Sequence, residues 1–415
     1  MGELTGQPND QRIAGVDVAR GVALLGMMSV HILPRVTEDG GRSAAYLISA
    51  GRAAALFAVL AGVGIALMSG GPVPPSGRRA ANISVRLAVR AVLIGTLGLA
   101  LGALSPPVYV ILAYYAVLFL VAIPFLRLRP WPLGVLALAW IVIAPAVSHR
   151  LRDDYGPPPG QPDFAALSDP VGLLERIVLT GVYPVLPWVA YLLVGLTIGR
   201  LPLRSPRFGW SLLLGGGSIA IASMLGARWW LDHGGIDRLI GEPPEVVLPD
   251  ATTNQVLNLD FYGTTPTDSL WWMLVPAPHS STPADLLQTS GTACAVLGAA
   301  LLLCRSQVGR VALTPLGAAG SMTLTLYTLH VLALYEEWGP VNERGLLYAS
   351  HVVALLLIAT AWRAFFKRGP IEETVHRCAA AVADWTVPAS KDAGDRLSPR
   401  RDVASGTSAG TAPDR

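Results

Sequence analysis

Asp17, Arg20 and His31 share one apolar stretch, RIAGVDVARGVALLGMMSVHILP, running from Arg12 to Pro34. At roughly 100° per residue, Arg20 and His31 are nearly eclipsed on a helix and Asp17 lies within about 60° of both. In hydrocarbon each such group costs several kcal/mol, so the stripe must face protein or water and is a candidate site. An imidazole there would transfer protons near neutral pH. A structural reading stands beside this one. Arg20 snorkels to the nearer interface, Asp17 pairs with it at i, i+3, and His31 sits at the far interface.

Helical rise sets the depth of the other candidates. His31 lies roughly 27 Å from Ile13, near the far end of its run. His330 falls about 28 Å along a later run that begins near Val311, so the two imidazoles share a level. Two histidines at one level form either a base and its partner or, for His330, a core histidine bonded to a backbone carbonyl or tyrosine. Tyr327 shares the His330 face at i, i+3. Arg52, on the second run, is about 12 Å deep. His279, in a loop on the same side, either joins this group or is an ordinary loop residue.

A membrane bundle must position these residues. The chain has 415 residues, 52% hydrophobic and 14% charged, with a mean hydropathy of +0.49. That composition is far from an ordinary soluble domain. Apolar runs long enough to span a bilayer occur at about 13–34, 45–69, 86–104, 108–126, 131–148, 177–199, 209–231, 284–304, 311–335 and 346–366. The expected fold is an all-α polytopic helix bundle of about ten transmembrane helices, with a membrane domain over 13–368 and a short segment, 1–12, before it.

The loops after the even-numbered runs carry Arg78, Arg79, Arg127, Arg129, Arg200, Arg204, Arg207, Arg305, Arg310, Lys367 and Arg368. Opposite loops carry Glu38, Asp39, Asp153, Asp154, Asp163, Asp169, Asp232, Asp237, Glu242, Glu245, Glu336 and Glu337. The positive-inside rule then puts both termini in the cytoplasm. A polar dozen residues leading into a full-length span is unlike a cleavable signal. The net charge of +3 is spread over short loops and so is a topology signal, with no nucleic-acid partner expected. Arginine, alanine, glycine and proline are abundant, which suggests a bacterial chain in the cytoplasmic membrane.

Cys294, Cys304 and Cys378 form neither a disulfide framework nor a metal-ligand spacing. No P-loop, GxGxxG, HExxH or GxSxG motif occurs, and no metal is expected. Two outer loops are long, about 149–176 and 232–283. The second mixes Asp260, Tyr262, Trp271, Trp272 and His279, a composition able to pack into a cap. Tyr262, Trp271 and Trp272 either stack on sugar rings or belong to the interfacial aromatic belt. Thr282-Pro283-Ala284-Asp285 reads as a helix start, which makes Asp285 a capping residue. Ile371–Val387, within 369–389, has the pattern of an amphipathic cytoplasmic helix, and 390–415 that of a disordered tail.

Arg78 and Arg79 are explained by topology alone. Arg86 and Arg90 stack at i, i+4 where the third span begins, which suits a bound polyanion such as a phosphorylated cofactor.

VDVARGVALLGMMSVH resembles the first helix of the membrane acyltransferase superfamily. That superfamily includes bacterial O-acyltransferases of surface glycans and heparan-alpha-glucosaminide N-acetyltransferase, and its first helix pairs an Arg with a His at the spacing of Arg20 and His31. Leu56–Leu67 (LFAVLAGVGIAL) is similar to the family's second helix. Gly317–His330 (GAAGSMTLTLYTLH) is similar to a late helix of the heparan-type bacterial relatives. The arginine cluster after the second span is looser here than in the glycan O-acyltransferases.

The resemblance implies an acyl-CoA donor, acetyl-CoA above all, held through its phosphates by Arg78, Arg79, Arg86 and Arg90. It implies His31 as general base or transient acyl carrier with His330 beside it, and Arg20 and Asp17 as residues that orient the helix bundle or line the donor path. The acceptor it implies is a hydroxyl or amine of a cell-envelope sugar or glycolipid, meeting Arg52, Tyr327, His279, Trp271 and Trp272. A transporter of small polar or anionic metabolites would also line a path with buried charges, but no inverted repeat is legible in the two halves. The oligomeric state is left open.

Overall fold

The computed structural model describes residues 13–38, 41–152, 160–239 and 251–387. The segment 1–12, the tail 390–415, Asp39, Asp153, Asp154, Glu242, Glu245 and the run 156–159 lie outside the described residues. The first helices in chain order are α1 (Ala14–Ile32), α2 (Ala44–Ser49), α3 (Arg52–Met68), α4 (Gly77–Ala103) and α5 (Leu112–Ala122). They are followed by α6 (Pro130–Leu151), α7 (Pro170–Glu175), α8 (Val185–Gly199), α9 (Pro206–Trp230) and α10 (Thr253–Leu257). The last six are α11 (Pro283–Leu303), α12 (Gln307–Ala312), α13 (Thr314–Gly320), α14 (Thr323–Tyr335), α15 (Arg344–Phe365) and α16 (Pro370–Thr386). Among the described residues the only β pairing is an isolated bridge between Val36 and Arg42.

Among the described residues, seven helices are long and apolar enough to cross a membrane, counting α2–α3 as one. Two broken pairs add to them: α7 with its π-helical extension against α8, bent by 56°, and α13 against α14, bent by 85°. A shorter apolar helix covers Leu112–Arg127. Each of the ten apolar runs read from the sequence falls on one of these helices. Leu214, Ile221 and Leu225 of α9, Val353 and Leu357 of α15, and Val135 and Leu138 of α6 point outward and are exposed. In water such apolar faces would be a liability, so hydrocarbon must cover them. The molecule is a multi-pass helical membrane protein.

α1 is the central helix and packs against α3, α11, α13 and α15. It stops at Ile32 because Leu33 precedes Pro34, whose ring disfavours helical geometry one residue back. Its contact with α13 is a backbone approach: a Cβ on Gly320 would lie 1.7 Å from the Asp17 carbonyl oxygen. Only glycine permits that closeness, and the chain breaks immediately afterwards at Ser321 and Met322 before α14 begins.

The first turn of α14 is capped from far away in sequence. Glu372 of α16 accepts from the Leu324 amide at 2.7 Å, the Thr325 amide at 3.2 Å and the Thr325 hydroxyl at 2.6 Å. The described part of the second outer loop folds into a small packed body around Leu231, Phe261, Trp272 and Val275, all at most 2% exposed. Thr282 caps α11 by accepting from the Asp285 amide at 3.1 Å, while Asp285 reaches back to the Ser281 amide at 3.1 Å.

Candidate functional site

Two cavities enter the bundle from opposite ends, here called inner (the Ala14 end of α1) and outer (the Ile32 end). The outer cavity is about 370 Å³ and is lined by His31, Arg35, Tyr109, Asp260, Tyr262 and His279, among others. The inner cavity is about 330 Å³ and includes Arg20, Arg90, Tyr115, Tyr327 and Glu372 in its wall. Met27 lines both. Beside it, the Tyr115 hydroxyl from the inner wall donates to the Ala54 carbonyl of the outer wall at 3.4 Å.

In the outer cavity His31 Nδ1 lies 3.2 Å from His330 Nε2, with the rings parallel to within 5°. The shared depth read from helical rise is thus a direct contact. The chain of imidazoles continues, because His330 Nδ1 is 3.2 Å from His351 Nδ1. His351 Nε2 is in turn 3.2 Å from the Trp338 carbonyl. His330 is 1% exposed and His351 is 8% exposed, whereas His31 is partly open to the cavity.

His279 is set by α3's start. Gly51, at φ +71°, turns the chain so that its amide donates to His279 Nε2 at 3.2 Å. A Cβ there would lie 3.3 Å from the His279 amide nitrogen, and a positive φ already disfavours any larger residue. With Nε2 accepting, the ring proton resides on Nδ1. Desolvation holds His279 below the ordinary histidine range, opposed by Asp260 and reinforced by Arg35. Arg35 forms an ion pair with Asp260. Desolvation works against the Arg35 charge, but Asp260 and Tyr262 outweigh it and raise the group overall. Tyr109 and Tyr262 meet edge to face with ring centroids 5.8 Å apart.

In the inner cavity Arg20 forms a 3.3 Å ion pair with Asp17 and lies 3.5 Å from the Leu60 carbonyl. Arg90 contacts the Met68 sulfur at 3.9 Å. The cavity offers two guanidiniums, of which Arg20 is already paired with Asp17, beside one carboxylate and an aromatic and apolar wall.

The geometry sorts the sequence candidates. His31, His330 and His279 come together at the outer end, although His330 reaches the cavity only through His31. Arg20 and Asp17 share the α1 stripe with His31 but serve the inner end. Of the four arginines proposed to hold a polyanion, Arg90 alone lines the inner cavity. Arg86 turns away to Asp384 of α16 at 3.0 Å and to Asn82 at 2.8 Å, and Arg78 and Arg79 are not part of the wall. Tyr327 lines the inner cavity, and its hydroxyl accepts from the Ile111 amide at 3.4 Å. Arg52 donates to the Leu47 carbonyl at 2.6 Å and faces a neighbouring cavity with Arg42 and Arg228.

The tryptophan pair does not reach the outer cavity. Trp272 is fully buried in the cap, its Nε1 donating to Asp268 at 3.0 Å, and Trp271 stacks on Trp230. Adjacent residues point in different directions, so one Trp became cap core and the other cap surface. Arg35, Tyr109, Glu372 and His351 were not singled out from sequence. His351 carried a usable signal: the rise that located His330 puts it about 8 Å from the outer end of its run.

Two known families match the chain, and each cavity draws residues from both matched stretches. Residues 257–382 match a family described as a protein of unknown function, DUF418, and this stretch carries His330, His351 and Glu372. No curated protein matches the chain. Residues 12–229, more than half of the chain and including α1 with Arg20 and His31, match the family described as heparan-alpha-glucosaminide N-acetyltransferase, catalytic. A match over more than half of the chain means that it belongs to the heparan-alpha-glucosaminide N-acetyltransferase catalytic family of membrane acyltransferases.

Proposed function

We propose that the protein transfers an acyl group, acetyl in the simplest case, from acyl-CoA bound at the inner end to a hydroxyl or amine of a cell-envelope sugar or glycolipid bound at the outer end. The observation that carries this reading is the pair of back-to-back cavities, with Arg20 and Arg90 in one, His31 and His279 in the other and Met27 in both walls. The site is read as one for a donor substrate and an acceptor, with no metal. Arg90 and Arg20 hold donor phosphates, and the pantetheine arm runs along the apolar inner wall toward Met27. His31 Nε2 removes the acceptor proton as the acceptor's oxygen or nitrogen bonds to the acyl carbon. The carbon–sulfur bond breaks, and the proton held by His31 is returned to the departing CoA thiolate. The Arg35–Asp260 pair binds acceptor hydroxyls, and the Tyr109–Tyr262 pair offers a face for a sugar ring.

The transporter reading draws on the two broken helix pairs, a feature of transporter binding sites. Here the breaks fall in the sixth and ninth apolar runs, which are not matching positions of two halves.

Mass spectrometry of envelope glycans and lipids from a deletion strain, complemented with wild type or His31→Ala, separates these readings. Wild type should restore an acylated product that the deletion strain lacks. His31→Ala should insert normally, still bind acyl-CoA and lose at least roughly a hundredfold in rate, the amount that general-base catalysis commonly supplies. Full product with His31→Ala would end the mechanism. A solute-flux defect with no acylated product in either strain would establish the transporter.

A further inference from the structure

We infer that His351 and the Trp338 carbonyl fix the tautomer of His31 through His330, so that the nitrogen left for the outer cavity is always an unprotonated Nε2. The inference rests on the acyltransferase reading for its purpose, though the tautomer itself does not depend on it. A backbone carbonyl only accepts, so the 3.2 Å contact from His351 Nε2 to Trp338 requires the His351 proton on Nε2. His351 Nδ1 is then an acceptor, and the 3.2 Å contact to His330 Nδ1 places the His330 proton there. His330 Nε2 is left as an acceptor, and its 3.2 Å contact places the His31 proton on Nδ1. The opposite polarity would set a lone pair of His351 against that of the carbonyl. Three neutral imidazoles therefore admit a single arrangement.

The terminus of this chain is itself anchored. The Trp338 amide donates to the Ala333 carbonyl at 2.8 Å, folding the turn after α14 back onto its own helix. His330 and His351 are buried, so water does not compete for the links. His351 touches neither cavity and is a positioning residue. When His31 takes the acceptor proton on Nε2, its Nδ1–H already points at a lone pair of His330, and the new charge is shared along hydrogen bonds that are in place beforehand. No bond is made or broken at His330 or His351, and the proton leaves His31 for the CoA thiolate. The arrangement does for His31 what a carboxylate does for the histidine of a serine hydrolase, by neutral groups alone.

Solid-state NMR of the full-length protein, labelled with [15N]histidine and reconstituted in liposomes at mildly alkaline pH, reads each ring's tautomer directly. The chain has seven histidines, and single His substitutions assign them. His31 and His330 should be protonated on Nδ1 and His351 on Nε2. In His351→Leu the Nδ1-protonated His31 signal should fall by at least half, while His351→Asn, whose amide oxygen accepts where Nδ1 stood, should retain it. An Nε2-protonated His31 in wild type, or a His31 signal unmoved by His351→Leu, overturns the inference. If His351→Leu fails to fold, the wild-type and His351→Asn spectra still decide.

Product formation is the second readout. His351→Leu should lower the turnover rate at least roughly tenfold with acceptor KM unchanged, since a wrong tautomer is costly to a catalytic imidazole, and His351→Asn should recover most of it. Absence of acylated product in wild type would strike the acyltransferase reading and leave the tautomer result standing.

Discussion

Arg86 and Arg90 illustrate how four positions on one helix separate two fates. Arg86 lies in the first half of α4 and Arg90 at its midpoint; Arg86 is engaged by Asp384 on the protein surface, whereas Arg90 projects into the inner cavity. The exposed Arg86 pair contributes only about 0–1 kcal/mol to stability. Arg90→Gln should therefore weaken acyl-CoA binding to the purified protein by about tenfold or more, the loss expected for a charge-assisted contact to phosphate. Arg86→Gln should be near wild type, and Arg90→Lys should recover only part because its single ammonium cannot form the fork. Titration calorimetry with acetyl-CoA decides the matter, and equal affinities in all three variants would remove Arg90 from the donor site. Residue spacing made the basic pair visible. It did not show which arginine had a carboxylate waiting, because Asp384 lies 298 positions away. The same limit applies to His351, whose depth was computable but whose rotation toward His330 depends on how α14 and α15 pack.

At the scale of elements, the informative piece is the break between α13 and α14. Hydropathy reads 311–335 as a single run, since apolar content carries no record of an 85° bend. The bend leaves the first amides of α14 without partners inside the helix, and Glu372 supplies the acceptor. α16 is therefore more than an amphipathic helix at the surface. It caps α14, the helix that carries His330, and contributes Glu372 and Val375 to the inner cavity wall. Glu372→Ala should cost about 1–3 kcal/mol for the orphaned donors, seen as a lower thermal midpoint in detergent. It should also loosen acetyl-CoA binding, whereas Glu373→Ala, which loses only exposed pairs with Arg368 and Arg377, should do neither. Matching midpoints for the two variants would deny Glu372 the capping role. The periodicity of the segment made its helix legible, but a cap donated across 48 positions was not.

For the whole molecule, the polarity of membrane insertion should follow from charge. Reporters fused after residue 76 or 204 should be cytoplasmic, and those after 40 or 260 extracytoplasmic. A cytoplasmic signal from the 232–283 loop would reverse the assignment of donor and acceptor ends. The overall class and the helical nature of the apolar runs were legible because length and hydropathy are local properties. The existence of two cavities was not, since each is assembled from helices distant in sequence.

Met27 then takes on a meaning beyond catalysis. In a membrane that stores an electrochemical gradient, a continuous aqueous path between the two cavities would discharge it. A thioether is uncharged, unbranched and mobile about three bonds, so it can yield to a passing acyl carbon and close behind it without offering water a foothold. Tyr115, tied to the Ala54 carbonyl, stiffens the adjoining wall. Under the proposed transfer, this partition would let a covalent group change sides while the bilayer remained an electrical insulator.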